Sequence, residues 1–222
     1  MKKPGLQWLV PVFLGGMLFS ATSLADTLYE VTVTNISKGV VLTPIMVATT
    51  RKGDTFFGLG EPASIELETL AETGNPGPLQ DSLDAYDVTN NSSSPDPFLG
   101  PGQSVTQYVE TRGRYNHLSI ASMVVPTNDV FFAVNGVAGP KGHKSIIITS
   151  PAYDAGTELN DELCTSLPGP GCDGDPGPAS DNGEGYVYVS SGIRGVGDLD
   201  ADALDWNNPI VKIQITRVRH RD

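Results

Sequence analysis

The sequence predicts an all-β fold: an antiparallel β-sandwich with one short helix and long loops. Three observations lead there. Short segments rich in β-branched residues recur, several alternating apolar and polar side chains in the period of two that a half-buried strand requires. Stretches rich in Gly, Pro, Asn, Asp and Ser separate them, and a single segment has helical character. There is no internal repeat, no heptad pattern and no shift in composition, so about seven or eight strands belong to one unit.

Leu28-Tyr29-Glu30-Val31-Thr32-Val33-Thr34 alternates and ends at Asn35, giving the first strand. Val40 to Thr49 is almost continuously apolar around Pro44; proline cannot donate to a ladder, so an edge or bulged strand is expected. Ala63 to Glu72 contains the helix formers and stops before Gly74-Asn75-Pro76-Gly77-Pro78. Residues 74–102 read mostly as loop, and Pro101-Gly102 turns the chain into a strand from Ser104 to Glu110. Asn116 to Val125 follows, with Leu118, Ile120 and Met123 as core, then Val130 to Asn135 and Lys144 to Thr149. Residues 165–185 are again loop-like. Ile210 to Val218 closes the chain as a strand with one buried face.

The first residues predict export. Met1-Lys2-Lys3 is a positive start, Trp8 to Phe19 an apolar stretch of roughly a dozen residues, and Ser23-Leu24-Ala25 a small-x-small cleavage site, so residues 1–25 read as a cleavable signal and 26–222 as the working domain. Pro11, Gly15 and Gly16 interrupt the stretch, which is shorter than the ~20 residues a membrane span needs. No later segment is apolar enough to insert, and no cysteine follows the cleavage site to carry a lipid. Cleavage removes two lysines and no acid, leaving 12 Lys and Arg against 26 Asp and Glu, a formal charge of −14 instead of −12. Such a chain is a poor partner for nucleic acid or anionic membranes, and a natural one for cations. Cys164 and Cys172 flank a Pro/Gly loop, and in an exported chain a disulfide between them is the expected state. Asn35, Asn90 and Asn91 each begin an N-x-Ser triplet, relevant only in a glycosylating host.

Catalytic motifs are scarce. His117, His143 and His220 sit at a strand start, in a turn and in the tail, with no Gly-x-Ser-x-Gly elbow to support a nucleophile. Asp154-Ala155-Gly156-Thr157 has the form of one aspartic-protease loop, but that chemistry needs two. In the segment from Asp154 to Glu162, Gly156 permits a bend that brings Asp154 and Glu158 toward one centre, an oxygen-rich arrangement suited to Ca²⁺. Asp198-Leu199-Asp200-Ala201-Asp202 begins like an EF-hand loop, yet Ala203 and Pro209 stand where that loop needs Gly and Glu, so a solvated loop is expected.

Two of these stretches resemble a known family. Ser122-Met123-Val124-Val125-Pro126-Thr127-Asn128-Asp129 and Tyr153-Asp154-Ala155-Gly156-Thr157-Glu158 are similar to the signature segments of the spondin N-terminal domain, which read Ser-Pro-Asp-Trp and Asp-Ala-Gly-Thr-Asp in the matrix proteins F-spondin and mindin. Ala71-Glu72-x-Gly74, Gly192-Ile193, Gly197-Asp198-Leu199-Asp200 and Asp205-Trp206-x-Asn208-Pro209 resemble features of bacterial members, so the likeness covers most of residues 27–218. The resemblance implies a C2-like sandwich with one Ca²⁺ among the loops of one end, held by Asp129, Asp154 and Glu158. Glu158 departs from the family's Asp, and Val130 from its Trp.

The resulting expectation is an exported calcium-binding β-sandwich that acts as an extracellular binding or adhesion module for a glycan, matrix or surface protein. Two alternatives come from other classes. One is a Ca²⁺-dependent hydrolase acting on an extracellular polymer, with Asp200 or Asp202 near its site; the other is a structural surface protein assembling through its edge strands.

Overall fold

The computed structural model describes residues 26–142, 144–172, 174 and 182–218; the signal segment, His143 and His220 lie outside them. The elements are β1 (Thr27–Asn35), β2 (Val41–Leu42), β3 (Met46–Arg51), α1 (Ile65–Thr73), α2 (Gly77–Ser82), β4 (Val88–Asn90), β5 (Ser104–Thr111), β6 (Tyr115–Val125), β7 (Val130–Ala138), β8 (Ser145–Ser150), β9 (Ala152–Asp154), β10 (Tyr188–Val189), α3 (Ala201–Leu204) and β11 (Val211–Val218). They form two antiparallel sheets, β5-β1-β11-β8 and β10-β9-β7-β6-β3-β4, with β2 also paired to β6. The fold is an all-β sandwich.

Strand β1 realises the alternation in its sequence. Tyr29, Val31 and Val33 enter the core, while Thr32 and Thr34 face out and pair their hydroxyls with Thr106 and Ser104 on β5. The inner faces of β1 and β11 pack against Val47, Leu118, Ile120, Val124 and Phe132 of the larger sheet. That larger sheet is covered on its outer face as well. Leu67, Leu70 and Ala71 of α1, with Leu79 of α2, close over Met46, Ala121, Phe131 and Ala133. Residues 118–125 of β6 are therefore buried on both faces, which is why that stretch reads as continuously apolar.

Helix α1 begins where Ser64 Oγ accepts the Leu67 backbone N–H, and ends at Gly74, whose φ of 70° is the left-handed cap conformation. Ser64→Ala is expected to lower stability by about 1 kcal/mol, seen as a lower urea midpoint with an unchanged slope.

Two expectations are corrected. The run around Pro44 is two strands, not one: Pro44 falls in the link, where no ladder N–H is needed, and β3 is interior, between β6 and β4. The one expected helix becomes three. Pro78 is tolerated in the first turn of α2, and Asp200 caps the single turn of α3 by accepting the Asp202 N–H. The Nδ2 groups of Asn35, Asn90 and Asn91 donate respectively to the Val40 and Leu99 carbonyls, to Gln80 Oε1 and to the Pro97 carbonyl.

Cys164 and Cys172 form the expected disulfide, consistent with an extracellular or periplasmic location. Among the described residues, no helix is long and apolar enough to cross a membrane.

Candidate metal centre

The antiparallel register of β7 and β9 places Val130 opposite Asp154. Asp129, one residue before β7, therefore meets the chain just as it leaves β9, and the Ala155 N–H donates to the Asp129 carbonyl at 3.1 Å. Asp129, Asp154 and Glu158, separated by up to 29 positions, are gathered at one end of the larger sheet and are all buried, at 0 %, 2 % and 1 % exposure.

Their oxygens divide into two sets. Asp129 Oδ2 accepts the Thr157 N–H at 2.7 Å, the Thr157 hydroxyl at 3.2 Å and the Glu158 N–H at 3.1 Å, fixing the loop after β9. Asp154 Oδ1 accepts the Gly156 N–H at 2.9 Å, and its Oδ2 accepts Asn160 Nδ2 at 2.9 Å. In contrast, Asp129 Oδ1 and Glu158 Oε2 are buried without any hydrogen-bond partner among the described residues. A buried anionic oxygen left unpaired is costly, so these two atoms call for a proton or a cation.

Electrostatics agree. Burial, then the charge of Asp129, pushes the Asp154 carboxyl up to about 7, despite hydrogen bonds from Asn160 and Gly156. Burial, then Glu72, pushes Glu158 up to about 8, with Asp129 and Asp161 adding to it. Asp129 is raised mainly by burial. The ion pairs among the described residues, Arg51 with Asp54 and Asp84 and Arg112 with Asp26, all lie outside this cluster.

Gly156 allows the loop its shape. Its φ is +67°, and a Cβ there would overlap the Tyr186 carbonyl oxygen and sit 2.9 Å from the Tyr186 nitrogen. The backbone of residues 183–187 lies across this loop, with the Gly185 N–H donating to the Gly156 carbonyl at 2.8 Å.

Two acids were not singled out as site residues from sequence. Glu72, on α1, comes close to Thr157, and burial raises its carboxyl. Its only sequence signal was its place in the Ala71-Glu72-x-Gly74 resemblance. Glu162, with φ +55°, accepts the Arg194 and Val196 N–H groups at 2.7 and 2.9 Å and so pins the loop before α3.

The acidic run from Asp198 to Asp205 serves the backbone. Asp198 accepts the Cys164 N–H, Asp200 caps α3 and Asp205 accepts the Ile193 N–H. His117 pairs with Ala138 and Thr50 at the far end of β6 from Asp129.

An oxygen-only donor set with two orphaned carboxylate oxygens suits a hard divalent cation such as Ca²⁺. Among the described residues, no group of three or more His, Cys, Asp or Glu side chains is placed so that it could hold a metal ion. Uncompensated carboxylates repel, and Ca²⁺ completes its six to eight ligands with carbonyls and water.

Fold and site together define an all-β sandwich with a buried carboxylate cluster at one end of its larger sheet. No family model matches the chain, and no curated protein matches it significantly.

Proposed function

We propose that the protein is an exported calcium-binding module of the spondin-domain type, in which Asp129, Asp154 and Glu158 hold one Ca²⁺ that fixes the loops of a recognition surface. The observation that carries this reading is the pair of orphaned oxygens, Asp129 Oδ1 and Glu158 Oε2, in a buried cluster that forms no ion pair with a cationic side chain among the described residues. The disulfide, the apolar first residues and the acidic composition support export to a compartment where calcium is plentiful. The ion would supply charge compensation and cross-linking of the β6–β7 turn to the loop after β9. The chain's own residues supply the rest: Asp129 Oδ2 and Asp154 Oδ1 hold that loop through its N–H groups. The binding-module reading is favoured over a hydrolase because, of the two acids set near that reading's site, Asp200 caps α3 with its side chain and Asp202 lies in the first turn of the same helix.

The pH dependence tests it. An unfolded carboxyl loses its proton near pH 4, whereas Asp154 and Glu158 hold theirs in the folded chain up to about 7 and about 8. Across that window the folded state binds more protons, so the metal-free protein is expected to lose stability as pH rises from 5 to 8. Calcium binds the deprotonated carboxylates, so a few millimolar Ca²⁺ is expected to stabilise strongly at pH 8 and little at pH 5. Equal shifts in melting temperature at both pH values would contradict the assignment.

A further inference from the structure

A cavity of about 260 Å³ opens beside the carboxylate cluster, lined by Asp154, Asn160, Glu184, Tyr186, Tyr188 and Arg194. We infer that this cavity is a saccharide-binding site, taking one neutral sugar ring of an extracellular glycan. This inference rests on the calcium reading, because Asp154 belongs to both sites.

The chemistry of the wall selects the ligand. Asp154 and Glu184 disfavour anions, and the polar side chains disfavour an apolar guest. The two tyrosine rings, 5.8 Å apart and tilted by 55°, offer apolar faces next to acceptors and donors, the pairing that the C–H face and hydroxyl edge of a sugar require. Tyr186 is 45 % exposed, an aromatic side chain left open at the rim. An organic ammonium is the rival guest, but Arg194 on the same wall repels it. The volume lies just under the ~300–1,000 Å³ of drug-sized sites, so it accommodates a single ring.

The two sites are mechanically joined. Asn160 Nδ2 donates to Asp154 Oδ2 at 2.9 Å and to the Tyr188 hydroxyl at 3.2 Å, and Arg194 donates to the Asn160 carbonyl at 3.2 Å. Tyr188 pairs with Asp154 across β9 and β10. A cation that fixes Asp154 therefore orders the saccharide wall too.

The test is ligand-observed NMR on the purified protein with a panel of methyl glycosides and N-acetylated hexosamines, with and without calcium, alongside tetramethylammonium. At least one saccharide is expected to bind, more weakly after chelation. Tyr186→Ala is expected to weaken it about tenfold while Tyr186→Phe keeps it, and Tyr186→Ala is expected to leave Ca²⁺ binding intact by calorimetry. The inference is overturned if no saccharide binds a protein that does bind Ca²⁺, if Tyr186→Ala leaves saccharide binding unchanged, or if tetramethylammonium binds in its place. Absence of Ca²⁺ binding would overturn the calcium reading separately, and saccharide binding indifferent to calcium would overturn the coupling.

Discussion

At pH 8, Asp129→Asn is expected to raise the melting temperature of the metal-free protein and to abolish its response to calcium. The asparagine keeps one acceptor for the Thr157 and Glu158 N–H groups, so the loop stays capped. It removes a charge that raises the carboxyls of both Asp154 and Glu158, a relief of the order of 1 kcal/mol. In the unsubstituted protein, Ca²⁺ at ten to a hundred times its dissociation constant should add about 1.4–2.7 kcal/mol, or about 3–10 °C in a domain of this size. A purely structural role for Asp129 predicts the reverse for the metal-free protein: stability falls or stays level, and calcium does nothing in either form. Differential scanning calorimetry with and without chelator separates the two.

Gly156→Ala is expected to destabilise by about 2–5 kcal/mol, combining left-handed backbone strain with an overlap that neither side can relieve. The obstructing atom is a backbone carbonyl, that of Tyr186, and its segment is held by the Gly185 and Val187 N–H bonds to Gly156 and Glu61. Gly53→Ala is the matched control. Its φ is +88°, but a Cβ there meets nothing within 4 Å, so only the strain of about 1–2 kcal/mol applies. Denaturant midpoints of the two variants should differ accordingly, and equal losses would show that the contact with Tyr186 has no energetic consequence.

Strand β1 could be read from its residues because one of its faces is buried and the other solvated, leaving the period of two intact. Strand β6 was found as a strand, yet its burial on both faces erased the pattern that would have told which side the helices cover. Pro44 misled for a physical reason: a missing N–H argues for an edge only if the proline lies within a strand, and here it lies between two. Helix α3 is one turn with no buried residue, and β9 and β10 are shorter still, so tertiary contacts and not local pattern decide them.

The candidate site divides the same way. Asp154 and Glu158 share a loop whose Gly156 signalled a bend, and Asp129 came through resemblance. Glu72 stayed hidden because only the packing of α1 on the sheet brings it to Thr157. The run from Asp198 to Asp205 holds as many acids as the run from Asp154 to Glu162, but the carboxylates of Asp198, Asp200 and Asp205 accept backbone N–H groups. A buried carboxylate oxygen without a partner distinguishes the two clusters, and that is visible only in three dimensions.

Isothermal titration of Ca²⁺ into the chelator-treated protein at pH 8 tests the central claim most directly. One ion per chain is expected, in the range of about 10⁻⁴–10⁻³ M typical of extracellular modules, with the binding heat lost in Asp154→Ala. No binding heat in this range, together with a melting temperature unchanged by Asp154→Ala, would contradict the assignment of Asp129, Asp154 and Glu158 as a calcium site.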